Sequence, residues 1–400
     1  MTRVDDLPEI DPTTPEALRD PFTAYGQARE RAPLARILIP GFGPLWALTR
    51  YEGARAMLGD ARFHLNSRSF LRPPGLAEEY RPYLRTMSEM EGPEHARLRG
   101  LVAPAFTARR AGEFRSRIEP IVARLLDTLP EHVDGGSVDL LRHVAVPLPM
   151  EVICELVGIA EADRPQWREF GAGIAGGLGA DFVAAIPSIV DGTKAAIAAQ
   201  RIEPGDDLLA DLVRTRAEDG DRLSETELVT MVWLLVLAGQ TPANLIANGV
   251  AALLTHPEQL AALRADQGLR PRAVDELTRW GGPTLLSGIR YAREDSEVDG
   301  GVIPKGEAVT AAIASANHDP RVYADPGRLD VTRTEGPPHL GFSHGPHFCL
   351  GASLARVQTE VAFTEILRRF PKLTLAVDSD ELPRAADPGT WRLSALPVVL

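Results

Sequence analysis

The 400-residue sequence predicts a mainly α-helical protein with a minor β lobe, and three observations carry that expectation. Ser224-Glu225-Thr226-Glu227 is a capping box that opens a long apolar helix. Leu350, Leu354, Val357 and Val361 recur at helical spacing in a run that continues to Pro371. Against these, only short alternating segments at 284–291, 297–302 and 309–314, punctuated by Gly and Pro, read as strands.

The elements follow in order from local chemistry. Residues 16–31 are predicted helical, and 34–39 and 45–48 read as short strands. Over 62–91 the periodicity breaks down, and irregular stretches of that length are usually functional or disordered. Helical amphipathic patterns return over 93–159, Ala/Gly-rich ones cover 170–199, and Glu218-Asp219-Gly220-Asp221 marks a turn. The helix that the capping box opens ends near Thr255, before Pro257; its roughly 30 residues would span about 45 Å. A helix over 268–280 precedes the strand segments. Nothing reads as a linker or repeat, so a single domain over 1–400 is expected.

Composition narrows the function classes. With 44% hydrophobic residues there is material for a large core, and a formal net charge of −12 argues against nucleic acid or an anionic membrane as partner. Cysteine occurs only at Cys154 and Cys349, and the N-terminal MTRVDDLPEIDPTT has neither a basic start nor an apolar run, so a cytoplasmic protein is expected. The most apolar stretch, 228–238, falls short of the roughly 18 residues a membrane span needs. Lysine occurs only at Lys194, Lys305 and Lys372, an arginine bias that fits a GC-rich genome.

The segment Phe342-Ser343-His344-Gly345-Pro346-His347-Phe348-Cys349-Leu350-Gly351 is the most informative in the chain. It places Cys349 between a Gly/Pro/His-rich loop and a helix N-terminus, where unpaired N–H groups and the helix dipole favour thiolate over thiol. A cysteine before a helix is ordinarily a small core residue. A thiolate in such a loop is also one way to hold haem iron. The segment resembles the haem-ligand signature of the cytochrome P450 family, F-x-x-G-x-x-x-C-x-G, at Phe342, Gly345, Cys349 and Gly351.

That resemblance, which extends to the order of elements over nearly the full chain, implies a cytochrome P450 fold. Haem b would lie between the long central helix and the helix after the cysteine, with Cys349 as axial ligand. It implies that Phe342 packs beside the sulfur, Gly345 permits a tight turn and Gly351 lets the backbone approach the porphyrin. His95, Arg99, Arg290 and His347 stand at positions resembling the family's propionate contacts; His95 and Arg99, four apart, share a helix face. Glu276-Leu277-Thr278-Arg279 matches E-x-x-R, and Arg328 is expected to complete a triad that braces the cysteine loop.

On the oxygen side the chain departs from the family. The usual A-G-x-(D/E)-T-(T/S), whose acid and Thr manage proton delivery to dioxygen, is replaced by Ala238-Gly239-Gln240-Thr241-Pro242-Ala243-Asn244. Read forward, Thr241 takes the acid position; read backward, it takes the Thr position and one residue is missing. The acid is absent either way. Pro242 has no N–H to offer the Ala238 carbonyl, so local winding must change. Ala238 C=O, Thr241 and Gln240 are the candidates for holding water that brings protons, with a substrate hydroxyl as the alternative.

By resemblance, the substrate pocket draws on 62–90, 168–196, 237–241, 285–289 and 389–391, which suggests a hydrophobic, medium-sized substrate. Arg97, Arg99, Arg109, Arg110, Arg115 and Arg117 against Glu113 form a local reversal of charge suited to steering an acidic electron donor. A separate ferredoxin and its reductase are the expected donors. The leading expectation is a haem-thiolate monooxygenase that uses O2 to hydroxylate or epoxidise a secondary metabolite. A non-hydroxylating oxidation (coupling, ring formation, peroxide-driven chemistry), a haem sensor, and a zinc protein built on His344, His347 and Cys349 stand as alternatives.

Overall fold

The computed structural model describes residues 7–70, 75–175, 180–218 and 223–400. The chain folds into two compact units of discontinuous segments: Met1–Leu71, Asn244–Leu350 and Phe370–Leu400 in one, Arg72–Ala243 and Gly351–Arg369 in the other.

The first unit holds the β lobe. Its six-stranded sheet runs in the order Glu9–Ile10, Leu34–Ile39, Gly43–Leu48, Ala308–Ala311, Arg290–Ala292, Phe63–His64. Leu34–Ile39 and Gly43–Leu48 form an antiparallel hairpin, and Trp46–Leu48 pairs parallel with Val309–Ala311. Successive side chains alternate between faces. Leu34, Trp46 and Leu48 join a core with Tyr51, Met57 and Phe63, whereas Ala35, Ile37 and Ala47 pack with Ile10 and Tyr25. Both faces are therefore buried, which fixes the register of the strands that carry Arg290 and the chain leading to the cysteine loop.

Several sequence expectations are corrected. The helix over 16–31 is two helices, Pro15–Arg19 and Pro21–Arg31, because Pro21 has no N–H to continue the first and Asp20 caps the second, accepting from Thr23 N at 3.1 Å. The strand over 284–291 shrinks to Arg290–Ala292, and the strand over 297–302 is a hairpin of Ser296–Val298 and Gly301–Ile303. Its turn is Asp299-Gly300, with φ of 48° and 78°, as a two-residue hairpin loop requires. The strand over 309–314 ends at Ala311, and Ile313–Ala316 is helical.

The second unit is helical. Its main elements are Gly92–Val102, Ala108–Thr128, Pro147–Val157, Arg164–Ala175, Ala180–Ile202, Leu208–Glu218, Glu225–Ala238 and Ala352–Arg369. The last packs along Ala108–Thr128, with Arg115 and Glu360 paired at 2.8 Å. Among its described residues, the irregular stretch 62–91 contains a two-residue strand and three 3₁₀ segments; its residues 71–74, like 176–179 of the predicted pocket segment, lie outside the described residues. So does most of the turn expected at 218–221.

The capping box is present: Ser224 N donates to Glu227 Oε2 at 2.8 Å and Glu227 N to Ser224 Oγ at 3.2 Å. The long helix it opens is broken at Gly239-Gln240 and resumes as Thr241–Thr255. Gly239 N still reaches Leu235 O at 2.9 Å, but Ala243 N turns to Gln240 O at 3.1 Å, a tighter bond than the α-helical one. Taken across the break, Glu225–Thr255 is long and apolar enough to cross a membrane, with a mean hydropathy of 1.5; 67% of its most apolar window is buried, as in a core helix.

Candidate active site

In the first unit the cysteine loop is held by its own backbone. Cys349 N donates to Phe342 O at 2.8 Å and Phe348 N to Gly345 O at 3.0 Å, while Ser343 and Gly345 take left-handed φ of 63° and 72°. At Gly345 a Cβ would also lie 2.8 Å from Leu58 O and 3.0 Å from Gly59 Cα. Glycine is needed there for conformation and for space. Gly345→Ala is therefore expected to destabilise the protein by about 1–3 kcal/mol, readable as a lowered unfolding midpoint.

Phe342 is buried and Cys349 half-buried, while Phe348 beside it is 40% exposed, unusual for a large apolar ring. The helix itself starts at Ala352, with Ala355 N donating to Gly351 O at 2.8 Å, so Cys349 stands three residues ahead of it. A Cβ at Gly351 would meet no atom within 4 Å.

Arg290 is buried on its strand and donates through Nη1 to Met57 O and Phe63 O at 3.4 Å. His347 is half-buried in the 3₁₀ turn Gly345–His347. Burial, and then the Arg55 charge, hold the His344 imidazole below the usual histidine range. Among the described residues no group of three His, Cys, Asp or Glu is placed to hold a metal ion, which counts against zinc on His344, His347 and Cys349.

Glu276 and Arg279 form a buried bidentate pair, Nε to Oε2 at 2.7 Å and Nη2 to Oε1 at 2.8 Å. The third arginine is not the expected Arg328. Arg333 donates from Nε to Glu276 Oε1 at 3.3 Å, where Asp330 N also donates at 3.0 Å. Arg328 has an exposed side chain and takes part through its carbonyl, which accepts from Arg279 and Arg333 at 3.2 Å each. Arg279 further holds Asn317 O and Pro326 O, and Arg333 holds Ala324 O. One carboxylate thereby organises the backbone of 317–333, the approach to the cysteine loop. Arg333 escaped the sequence reading; its only signal there was a second basic residue a few positions beyond Arg328.

In the second unit, His95 is buried and Arg99 half-buried on the helix Gly92–Val102, four residues apart as predicted. At the helix break, Gln240 is 6% exposed and neither its Oε1 nor its Nε2 has a partner, while Ala238 and Thr241 flanking it are exposed. A buried amide without partners is costly and calls for an occupant that hydrogen-bonds. The basic run is largely closed on itself: Arg97 pairs with Glu227, Arg109 and Arg110 with Glu113, Arg115 with Glu360, and Arg117 with Glu155. It is a paired surface more than an uncompensated positive field.

Each unit, taken alone, thus fits a bound planar cofactor at the residues expected to meet it. The first offers an exposed aromatic ring next to a half-buried cysteine, the second open space at Gly351 and exposed Ala238 and Thr241 on either side of the buried Gln240. Of the predicted pocket segments, Leu285 and Trp391 turn inward and pack together with Ala314.

The chain is similar to known proteins over most of its length. Residues 188–388 match the family model described as Cytochrome P450. The chain is 40% identical over 382 residues to "Cytochrome P450 monooxygenase PikC" of Streptomyces venezuelae, covering 95% of this chain and 91% of that one. The solved structure of the Bacillus subtilis 168 bacillaene polyketide synthase cytochrome P450 PksS superimposes with a TM-score of 0.87 at 34% identity, over 97% of this chain and 99% of that chain. A second solved structure, described as the cytochrome P450 enzyme CxnD for C–S bond formation in chuangxinmycin biosynthesis, gives a TM-score of 0.85 at 35% identity, over 100% of this chain and 98% of that chain.

Proposed function

The chain belongs to the cytochrome P450 family, a monooxygenase with a haem-thiolate cofactor, and from that premise we propose that Cys349 is the thiolate ligand in one P450 domain built from both units. The observation that carries the assignment is the loop closed by Cys349 N to Phe342 O over the left-handed Gly345. When bound, haem supplies the oxidising chemistry with O2 and two electrons. Phe342 shields the sulfur, and His95, Arg99, Arg290 and His347 bind and orient the propionates. Glu276, Arg279 and Arg333 fix the approach of the loop without touching reacting atoms.

Proton delivery is assigned to Ala238, Gln240 and Thr241. Pro242 withholds an N–H from the Ala238 carbonyl, which is free to accept from water. The Gln240 amide offers a donor and an acceptor, and the Thr241 hydroxyl can relay between them. Gln240→Leu removes an unsatisfied buried amide, so stability should hold or rise while product per NAD(P)H falls. In Thr241→Ala the same coupling ratio should fall by about tenfold, water replacing part of a contribution that is ~100-fold for a positioned donor. Unchanged coupling in both variants removes these side chains from the mechanism.

The substrate is a medium-sized hydrophobic secondary metabolite, hydroxylated or epoxidised; the polyketide synthase context of the similar PksS supports that class. A second reading, a bond-forming oxidation, is favoured by the missing acid and by the C–S bond formation of the similar CxnD. Electrons come from a separate ferredoxin and reductase. The location is cytoplasmic, supported by the buried long helix and by two cysteines outside any disulfide. Reconstitution with ferredoxin, reductase and NAD(P)H, with products identified by mass, tests both readings and the electron source: oxygen insertion supports the first reading, loss of two hydrogens the second, and turnover with this donor pair the electron source.

A further inference from the structure

The first unit contains a cavity of about 370 Å³, and none of its lining residues belongs to the 342–351 loop or the Arg290 strand. Two polar groups on its wall lack partners. Asn248, 7% exposed, donates through Nδ2 to Gly281 O at 3.2 Å and Trp391 O at 2.8 Å; those two carbonyls settle the amide orientation, and the opposite Oδ1 accepts nothing. The Arg384 guanidinium stacks on the Trp391 ring at 3.4 Å, and its buried Nη1 has no acceptor. Burial draws the Arg384 pKa down to about 10, with Asp20 opposing, so the group remains charged at pH 7.

Part of the remaining wall is aromatic. The Phe22 ring sits 4.8 Å from that of His318 and 5.5 Å from that of Trp391. Burial lowers the His318 pKa to about 4, so that ring is uncharged at pH 7. Arg19 and Arg384 against Asp20 leave one net positive charge on the lining. A buried guanidinium nitrogen without an acceptor and a buried carbonyl without a donor both call for a complementary occupant. The volume is at the low end for ligand sites and suits a one-ring compound rather than a medium-sized substrate.

We propose that this cavity binds a small aromatic monocarboxylate that carries a hydroxyl or amino donor. The carboxylate accepts from Arg384 Nη1, the donor is taken by Asn248 Oδ1, and the ring lies against Trp391 and Phe22. The site is separate from the proposed oxidation chemistry and does not rest on it.

The test uses the haem-loaded protein and 4-hydroxybenzoate, titrated by calorimetry with the absorption spectrum recorded in parallel. Expected are one site, no change in the Soret band, and binding weakened about tenfold or more by Arg384→Gln, less by Arg384→Lys. The neutral 4-hydroxybenzamide, which needs no variant, should bind the wild type about tenfold or more weakly. Equal binding by the amide, or by Arg384→Gln, overturns the proposal. So does a titration that shifts the Soret band and is displaced by imidazole, which places the probe at the haem. Absence of binding up to ~10 mM overturns it as well, leaving water as the partner of both groups.

Discussion

Glu276→Ala yields a chain that fails to retain thiolate-ligated haem. The carboxylate accepts four hydrogen bonds, two from Arg279, one from Arg333 and one from Asp330 N, and Glu276 and Arg279 are both under 5% exposed. Removing it strands a buried guanidinium, a loss of about 3–5 kcal/mol against a total stability of ~5–15 kcal/mol. The loss falls on 317–333, the segment that leads into the cysteine loop. A paired comparison separates this account from a general sensitivity of the region. Arg333→Ala removes the Glu276 contact and the bonds to Ala324 O and Arg328 O, and should lower the unfolding midpoint and haem occupancy severely. Arg328→Ala keeps the carbonyl that does the work and should stay within about 0.5 kcal/mol of wild type. Thermal unfolding and the ratio of Soret to protein absorbance read both. Equal damage from the two substitutions would contradict the geometry.

The contrast between Arg328 and Arg333 shows what could be read in advance. Phe342, Gly345, Cys349 and Gly351 were legible because each position answers a local backbone demand, and a left-handed φ at Gly345 leaves its mark as a residue type. The strands 34–39 and 45–48 were legible for a similarly local reason, as short, mostly apolar runs separated by Gly and Pro. Which arginine reaches Glu276 depends on the path of a loop more than fifty residues downstream, and spacing carries no record of that. The hairpin at Asp299-Gly300 was hidden because each of its strands is only three residues long, too short for alternation to mark where one ends and the next begins. Charge counted along the chain misled in a similar way: Arg97 and Arg115 meet Glu227 and Glu360, far off in sequence. The helix break was anticipated from Pro242, but the burial of Gln240 depends on packing by neighbours such as Gly171, where a Cβ would come within 3.3 Å of its Oε1.

Cys349→Ser should leave a folded protein and abolish monooxygenase activity. The substitution changes one side-chain atom, and the bond that closes the loop, Cys349 N to Phe342 O, belongs to the backbone and survives. Serine is far less acidic than cysteine and supplies no comparable anionic ligand at neutral pH. The reduced, carbon monoxide-treated variant should therefore lose the red-shifted Soret band of a thiolate complex, and product should fall below detection. Cys154 cannot take over. It is fully buried, and burial pushes its thiol up to about 12, with Glu151 adding to the shift, so it stays protonated. Cys154→Ser is accordingly expected to keep the spectrum and the turnover of wild type, apart from a stability cost of up to ~2 kcal/mol for burying a hydroxyl. A thiolate spectrum that survives in Cys349→Ser and disappears in Cys154→Ser would reverse the assignment, and the cofactor would then have to sit against the interior of the helix Pro147–Val157 rather than beside the loop that Gly345 shapes.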